Sequence, residues 1–240
     1  MDYISRIKAL YEIPEDDASG FSESEIGEFE EKKKAKLPLA LRDYYLRLGK
    51  SYAVNASFNR LLGPDEAVFL GGGDHLVFYV ESQKAVYWGI DRSDLPSSNP
   101  EVHANFDPED PEEEWSADSG TTEGFLESMA YWNGVLGGLG YTANYQVDEE
   151  TGIGLGLVRD IEDNWERLDV ASSDGFRFFT GDGKEIIVLT RGTDGVINGI
   201  HVGTSDEERF LSILEKLDVQ WDYRSDEDEN EGENEDEGEE

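Results

Sequence analysis

LVFYVESQKAVYWGIDRSDLPSSNPEV, residues 76–102, is the stretch on which the fold turns. It opens with LVFYV (76–80), a continuous apolar run with the aromatic and β-branched content of a buried strand. Four polar residues, 81–84, separate it from a second such run, AVYWGI (85–90). Two apolar runs joined by so short a polar link predict an antiparallel hairpin. Phe78, Tyr79, Tyr87 and Trp88 give that hairpin the bulk of a core sheet against which helices pack. Beyond it the chain turns through Asp91, Pro96 and Pro100, and residues 91–120 read as mostly loop.

Upstream, Tyr3, Ile7, Leu10 and Tyr11 fall at helical spacing before Pro14. Ser22-x-x-Glu25 has the form of a capping box opening a second helix. Leu37-Pro38 starts a third, with proline at the first helical position, a buried stripe of Leu41, Tyr44, Tyr45 and Leu48, and Gly49 to end it. EAVFL (66–70) suggests a short strand, and Gly71-Gly72-Gly73 a mobile turn into the hairpin.

Downstream, Thr121 or Thr122 caps a helix with Phe125, Met129 and Trp132 near one face, ending at glycines 137, 138 and 140. IGLGLV (153–158) reads as strand, and RDIEDNWERL (159–168) as a short helix with Ile161, Trp165 and Leu168 inward. FRFFTGDGKEIIVLT (176–190) predicts a hairpin turning at Asp182-Gly183, and Asp194-Gly195 a turn into VINGIHV. Ser205-x-x-Glu208 is expected to cap a last helix with Phe210, Leu211, Leu214 and Leu217 inward. Helices and hairpins alternate without a βαβ rhythm, so the fold class is α+β with a largely antiparallel, twisted sheet packed by helices. Residues 1–224 read as a single domain and 225–240 as a disordered acidic tail, which holds no apolar residue to offset the entropy of ordering.

Charge is the unusual bulk quantity. The 240 residues carry 56 acidic and 20 basic side chains, a formal net charge of −36. The last 16 residues hold 11 of the acids and no base, which leaves 45 acids against 20 bases, or −25, for the preceding body. Such a body is expected to bind neither nucleic acid nor anionic membrane directly, and to favour a basic partner. With no cysteine there is no disulfide or thiolate chemistry. The N-terminus has no signal-peptide pattern, and no apolar run is long enough for a membrane helix, so a cytoplasmic location is expected.

No catalytic motif, metal-ligand spacing or cofactor fingerprint emerges, so the expectation is a non-enzymatic protein without cofactors. His75, His103 and His201 are widely spaced and read as structural. Gly71-Gly72-Gly73 lacks the Lys-Ser/Thr of a phosphate-binding loop, and the alternating glycines 152, 154 and 156 lack dinucleotide spacing.

Four segments resemble the Smi1/Knr4 superfamily, also called SUKH, which includes bacterial immunity proteins. They are Leu37-Pro38 with Tyr44, Tyr45, Leu46 and Gly49; the hairpin residues Tyr79, Glu81, Gln83, Trp88 and Gly89; Asp94-Leu95 with Asn99, Pro100, Glu101 and Val102; and Trp115 with Phe125, Leu126 and Met129. Lys84 departs from the pattern, standing where a glycine is common. The resemblance implies an α+β domain that binds another protein: a cognate toxin, basic and in many cases a nuclease, or, in the family's fungal branch, signalling partners of a regulatory hub. The candidate partner-binding residues are those of the acidic loop, Glu109, Asp110, Glu112, Glu113 and Glu114, together with Trp115. Oligomeric state is left open.

Overall fold

The computed structural model describes residues 2–70, 73–108, 110, 113–148, 151–169, 175–192 and 195–227. Every strand pairing among them is antiparallel, in two sheets, and seven α-helices accompany them. The fold is α+β, as the alternation of helical and strand patterns predicts. The expected triple-glycine turn falls partly, and the tail from 228 onward wholly, outside the described residues.

Helix α1 (Tyr3–Leu10) starts at Asp2, whose carboxylate accepts the Ser5 N–H at 2.8 Å. Helix α2 (Glu23–Lys33) carries the expected capping box, with Ser22 and Glu25 each accepting the other's backbone N–H. In α3 (Leu39–Leu48) the predicted stripe is buried, but Pro38 sits one position earlier than expected, as the N-cap. Gly49 ends α3 without a left-handed turn. Its φ is −56°, and glycine is needed for space, since a Cβ would lie 2.6 Å from the Phe21 ring and 2.7 Å from the Tyr45 carbonyl. A short α4 (Tyr52–Asn55) follows.

The first sheet contains β1 (Arg60–Leu61), β2 (Val68–Leu70), β3 (His75–Val80), β4 (Tyr87–Asp91), β5 (Val102–Asn105) and β6 (Ser116–Ser119), ordered β1-β3-β4-β5-β6 with β2 also on β3. The central hairpin is therefore β3–β4. Its turn is organised by Glu81, whose carboxylate accepts the backbone N–H groups of Gln83 (2.7 Å) and Ala85 (3.2 Å). Lys84 occupies the left-handed region there, at φ 62°. Residues 91–120 are mostly loop, as expected, but two short strands within them, β5 and β6, extend the sheet; their sequences VHAN and SADS are too polar and short to announce strands.

Helix α5 (Thr122–Asn133), capped by Thr121, runs on into a π-helical turn, Gly134–Gly138, where Gly137 takes φ 107°. The second sheet is ordered β12-β7-β11-β10-β9-β8. Its strands are β7 (Tyr141–Gln146), β8 (Glu166–Leu168), β9 (Phe176–Thr180), β10 (Glu185–Arg191), β11 (Ile197–Thr204) and β12 (Tyr223–Arg224). The β9–β10 hairpin is the one expected. IGLGLV is not a strand: from Leu155 it belongs to α6 (Leu155–Asn164), which buries Val158 and Ile161 one turn apart. The last helix, α7 (Glu207–Leu217), is capped by Asp206 rather than Ser205, and buries Ile213 where Leu211 was expected; Leu211 points to solvent. Order also outlasts the expected boundary at 224. Residues 225–227 make a helical turn, with the Ser225 hydroxyl accepting the Thr142 N–H and Arg224 paired to Asp226.

Side chains of β10 alternate between two cores. Ile186 and Val188 join the large core shared with α1, α3, α5 and the inner face of the first sheet, whereas Ile187 and Leu189 face α6 and α7. Two polar networks are buried in the large core. Arg6 of α1 makes a two-pronged pair with the Glu127 carboxylate of α5 (2.7 and 2.9 Å), which also accepts the Tyr131 hydroxyl. Asn133 is fully buried and ties α4, β1 and β3 to α5: its amide donates to the Val54 and Asn59 carbonyls and the Tyr79 hydroxyl, and its oxygen accepts the Asn59 N–H.

Candidate functional site

The face of the first sheet turned away from the large core gathers the residues with binding chemistry. A register shift between Val77 and Tyr79 sends Phe78 and Tyr79 both into the large core. His75, Val77 and Val80 are left for the opposite face. On β4, Gly89 pairs with Val77 on one side and His103 on the other, and its missing side chain opens a recess. A Cβ at Gly89 would lie 3.2 Å from the Trp115 ring and 3.1 Å from the Leu76 carbonyl. Trp115 fills the recess and stacks on His75, centroids 4.1 Å apart and planes within 5°.

The two histidines meet across β4, His75 Nε2 lying 3.0 Å from His103 Nδ1. Glu101 Oε2 is 3.5 Å from His103 Nε2, which favours the tautomer protonated on that nitrogen. His103 Nδ1 is then the acceptor and His75 Nε2–H the donor, leaving His75 Nδ1 as a buried acceptor without a partner. Burial lowers the His75 pKa, against the pull of Asp91, whose carboxylate lies 3.9 Å away, so the ring is neutral at neutral pH. No group of three or more His, Asp or Glu among the described residues is arranged to hold a metal ion.

The loop between β5 and β6, residues 106–115, stands beside this cluster. Asn105, 1% exposed, braces it from within: its side-chain oxygen accepts the Asp107 N–H at 2.8 Å and its amide donates to the Glu113 carbonyl at 3.2 Å. The Glu113 N–H donates in turn to the Asp110 carbonyl. Asp107, Asp110, Glu113 and Glu114 are exposed, and Glu113 and Glu114 have no ion-pair partner among the described residues. Phe106, at the start of the same loop, is 61% exposed.

Of the residues expected from sequence, Asp110, Glu113 and Glu114 are therefore displayed together on one loop. Trp115 plays a different part, half-buried as the anchor on which the loop returns to the sheet. Glu109 and Glu112 lie outside the described residues. Phe106 was missed, because a phenylalanine after a short polar strand carries no signal of exposure. The His75–His103 pair was missed because its members lie 28 residues apart in the chain.

Against protein-family models, curated proteins and solved structures, the chain has no match. No helix among the described residues is long and apolar enough to cross a membrane.

Proposed function

We propose that this chain is a non-enzymatic immunity protein of the SUKH kind, which neutralises a basic toxin domain by binding it with the 106–114 loop. The observation that carries this reading is the loop itself: an exposed Phe106 on the same loop as four exposed carboxylates, braced by a buried asparagine, on a body of net charge −25. An apolar anchor within a charged rim is the anatomy of a protein-binding patch. The carboxylates would steer a cationic partner and raise its association rate. Two residues that carry the family resemblance also have definite work in the fold, Glu81 organising the hairpin turn and Gly89 making room for Trp115.

The test is co-expression with a candidate basic toxin from a neighbouring gene. A loop variant combining Asp107→Asn, Asp110→Asn, Glu113→Gln and Glu114→Gln serves as comparison. Wild type is expected to protect and to bind with an association rate that falls as salt rises; the variant should associate roughly tenfold or more slowly. Absence of a complex, or one indifferent to both salt and the variant, counts against the proposal. Recovery of several signalling proteins instead would favour the regulatory-hub reading.

A further inference from the structure

A small cleft lies on the other side of β6 from the histidine cluster. Its floor is Trp88 of β4 and Phe125 of α5, ring centroids 5.7 Å apart, and its wall is Trp132 of α5 and Phe176 of β9, 4.7 Å apart. Met129 completes the apolar lining. The cleft has a volume of about 80 Å³, room for roughly three water-sized groups and far less than a drug-sized ligand needs. Into this aromatic surround projects one charged side chain, Asp118.

Asp118 has no counter-charge. No lysine or arginine lines the cleft, and none pairs with Asp118 among the described residues. Burial raises its pKa, and the neighbouring Trp88 indole only partly opposes that rise, its N–H falling short of acceptable hydrogen-bond geometry with any partner. Asp118 is half-buried, and a carboxylate that has lost part of its water without gaining a cation is stabilised by a cationic group that completes it. Aromatic faces attract the same kind of group, because their quadrupoles favour a cation above the ring. His201 touches Trp132 from behind and is held neutral by its own burial at neutral pH, so it does not repel a positive charge.

We propose that this cleft is a binding site for the end of an alkylammonium chain, primary or methylated, with Asp118 as counter-ion and Trp88, Phe125, Trp132 and Phe176 as the cage. The chemistry is shared by a lysine side chain of a protein partner and by a free amine. The site needs neither the immunity role nor the 106–114 loop, so it stands or falls separately from the function proposed above.

The test is an NMR titration of the full chain with n-butylammonium, followed at the tryptophan indole N–H resonances and the Asp118 carboxyl carbon, with n-butanol as the neutral isostere. Saturable shifts at Trp88 and Trp132 with the amine but not the alcohol, and a fall in the Asp118 pKa on binding, are expected. Asp118→Asn, which keeps the shape and removes the buried charge, should weaken binding roughly thirtyfold or more without lowering the thermal midpoint. Phe176→Leu, which keeps the wall apolar, should weaken it as well. No saturable shift in wild type, or equal shifts in Asp118→Asn, overturns the proposal. A second arm titrates a lysine-containing peptide and its norleucine counterpart. Tighter binding of the lysine peptide than of butylammonium identifies a protein side chain as the natural occupant, and the reverse order identifies a free amine.

Discussion

Stability should fall in mildly acidic solution, and one buried imidazole, His201, contributes a separable share of that fall. The ring lies on the face of β11 turned toward α5, 6% exposed, with its edge-to-face neighbour Trp132 at 5.0 Å and no hydrogen-bond partner on either nitrogen. Burial alone pushes its pKa down from 6.5 to about 4. The folded pKa lies below the unfolded one, so below about pH 6.5 the unfolded chain takes up a proton that the folded chain refuses. The stability that rests on the neutral ring is fully present above that pH and is lost as pH falls toward about 4. At about 1.4 kcal/mol per unit, the loss between about pH 7 and about pH 5 is about 2 kcal/mol. His201→Leu, similar in volume and unable to titrate, removes this contribution and leaves the other ionisable groups in place. Urea unfolding of both proteins at the two pH values isolates it, since carboxylate effects cancel in the difference of differences. The wild type should lose about 2 kcal/mol more than the variant on acidification. If the two lose the same to within about 0.5 kcal/mol, the ring is not held neutral by burial and the reasoning fails.

Two further outcomes are expected. Asn133→Ala strands four buried partners, Val54, both backbone groups of Asn59 and the Tyr79 hydroxyl, and should cost about 2–5 kcal/mol. Calorimetry should show a midpoint lower by roughly 10 °C, and a drop under about 2 °C would mean that water replaces the amide. Lys84→Gly relieves a left-handed lysine at φ 62° in the β3–β4 turn and should raise stability by up to about 1 kcal/mol, read as a higher urea midpoint. A lower midpoint would show that the lysine side chain contributes more than its backbone costs.

The sequence was most legible where a segment's own residues settle its structure. LVFYV announced β3 because it is buried on both faces, AVYWGI announced β4 by its apolar and aromatic run, and Ser22 with Glu25 announced a helix start whose hydrogen bonds are local. Readings failed where distant residues decide. YTANYQ becomes β7 only because β11 and β12 flank it. IGLGLV (153–158) reads as strand, yet from Leu155 it is helical, since Val158 and Ile161 need one face of a helix to reach the second core. Ser205 and Asp206 are both good caps, and sequence offers no means of choosing between neighbours that differ by one position. At the candidate site the acids of the loop were visible, while the recess over Gly89 and the brace of Asn105 depend on strand register that no local pattern encodes.

All six residues of β3, His75–Val80, are buried, with β1 and β2 covering one edge and β4 the other. Before those neighbours arrive, HLVFYV is an apolar segment without proline or charge, the kind that stacks with its copies into cross-β assemblies. Its hairpin partners are close in sequence, but α5, which packs Phe125 on Phe78 and Tyr79, lies far along the chain. That part of its protection is non-local and comes late in folding. Each unfolded or half-folded copy nevertheless carries the full negative charge of the chain, and two such chains repel as they approach. The acidity of the chain thus acts as a chaperone-like guard on the strand at the centre of the first sheet.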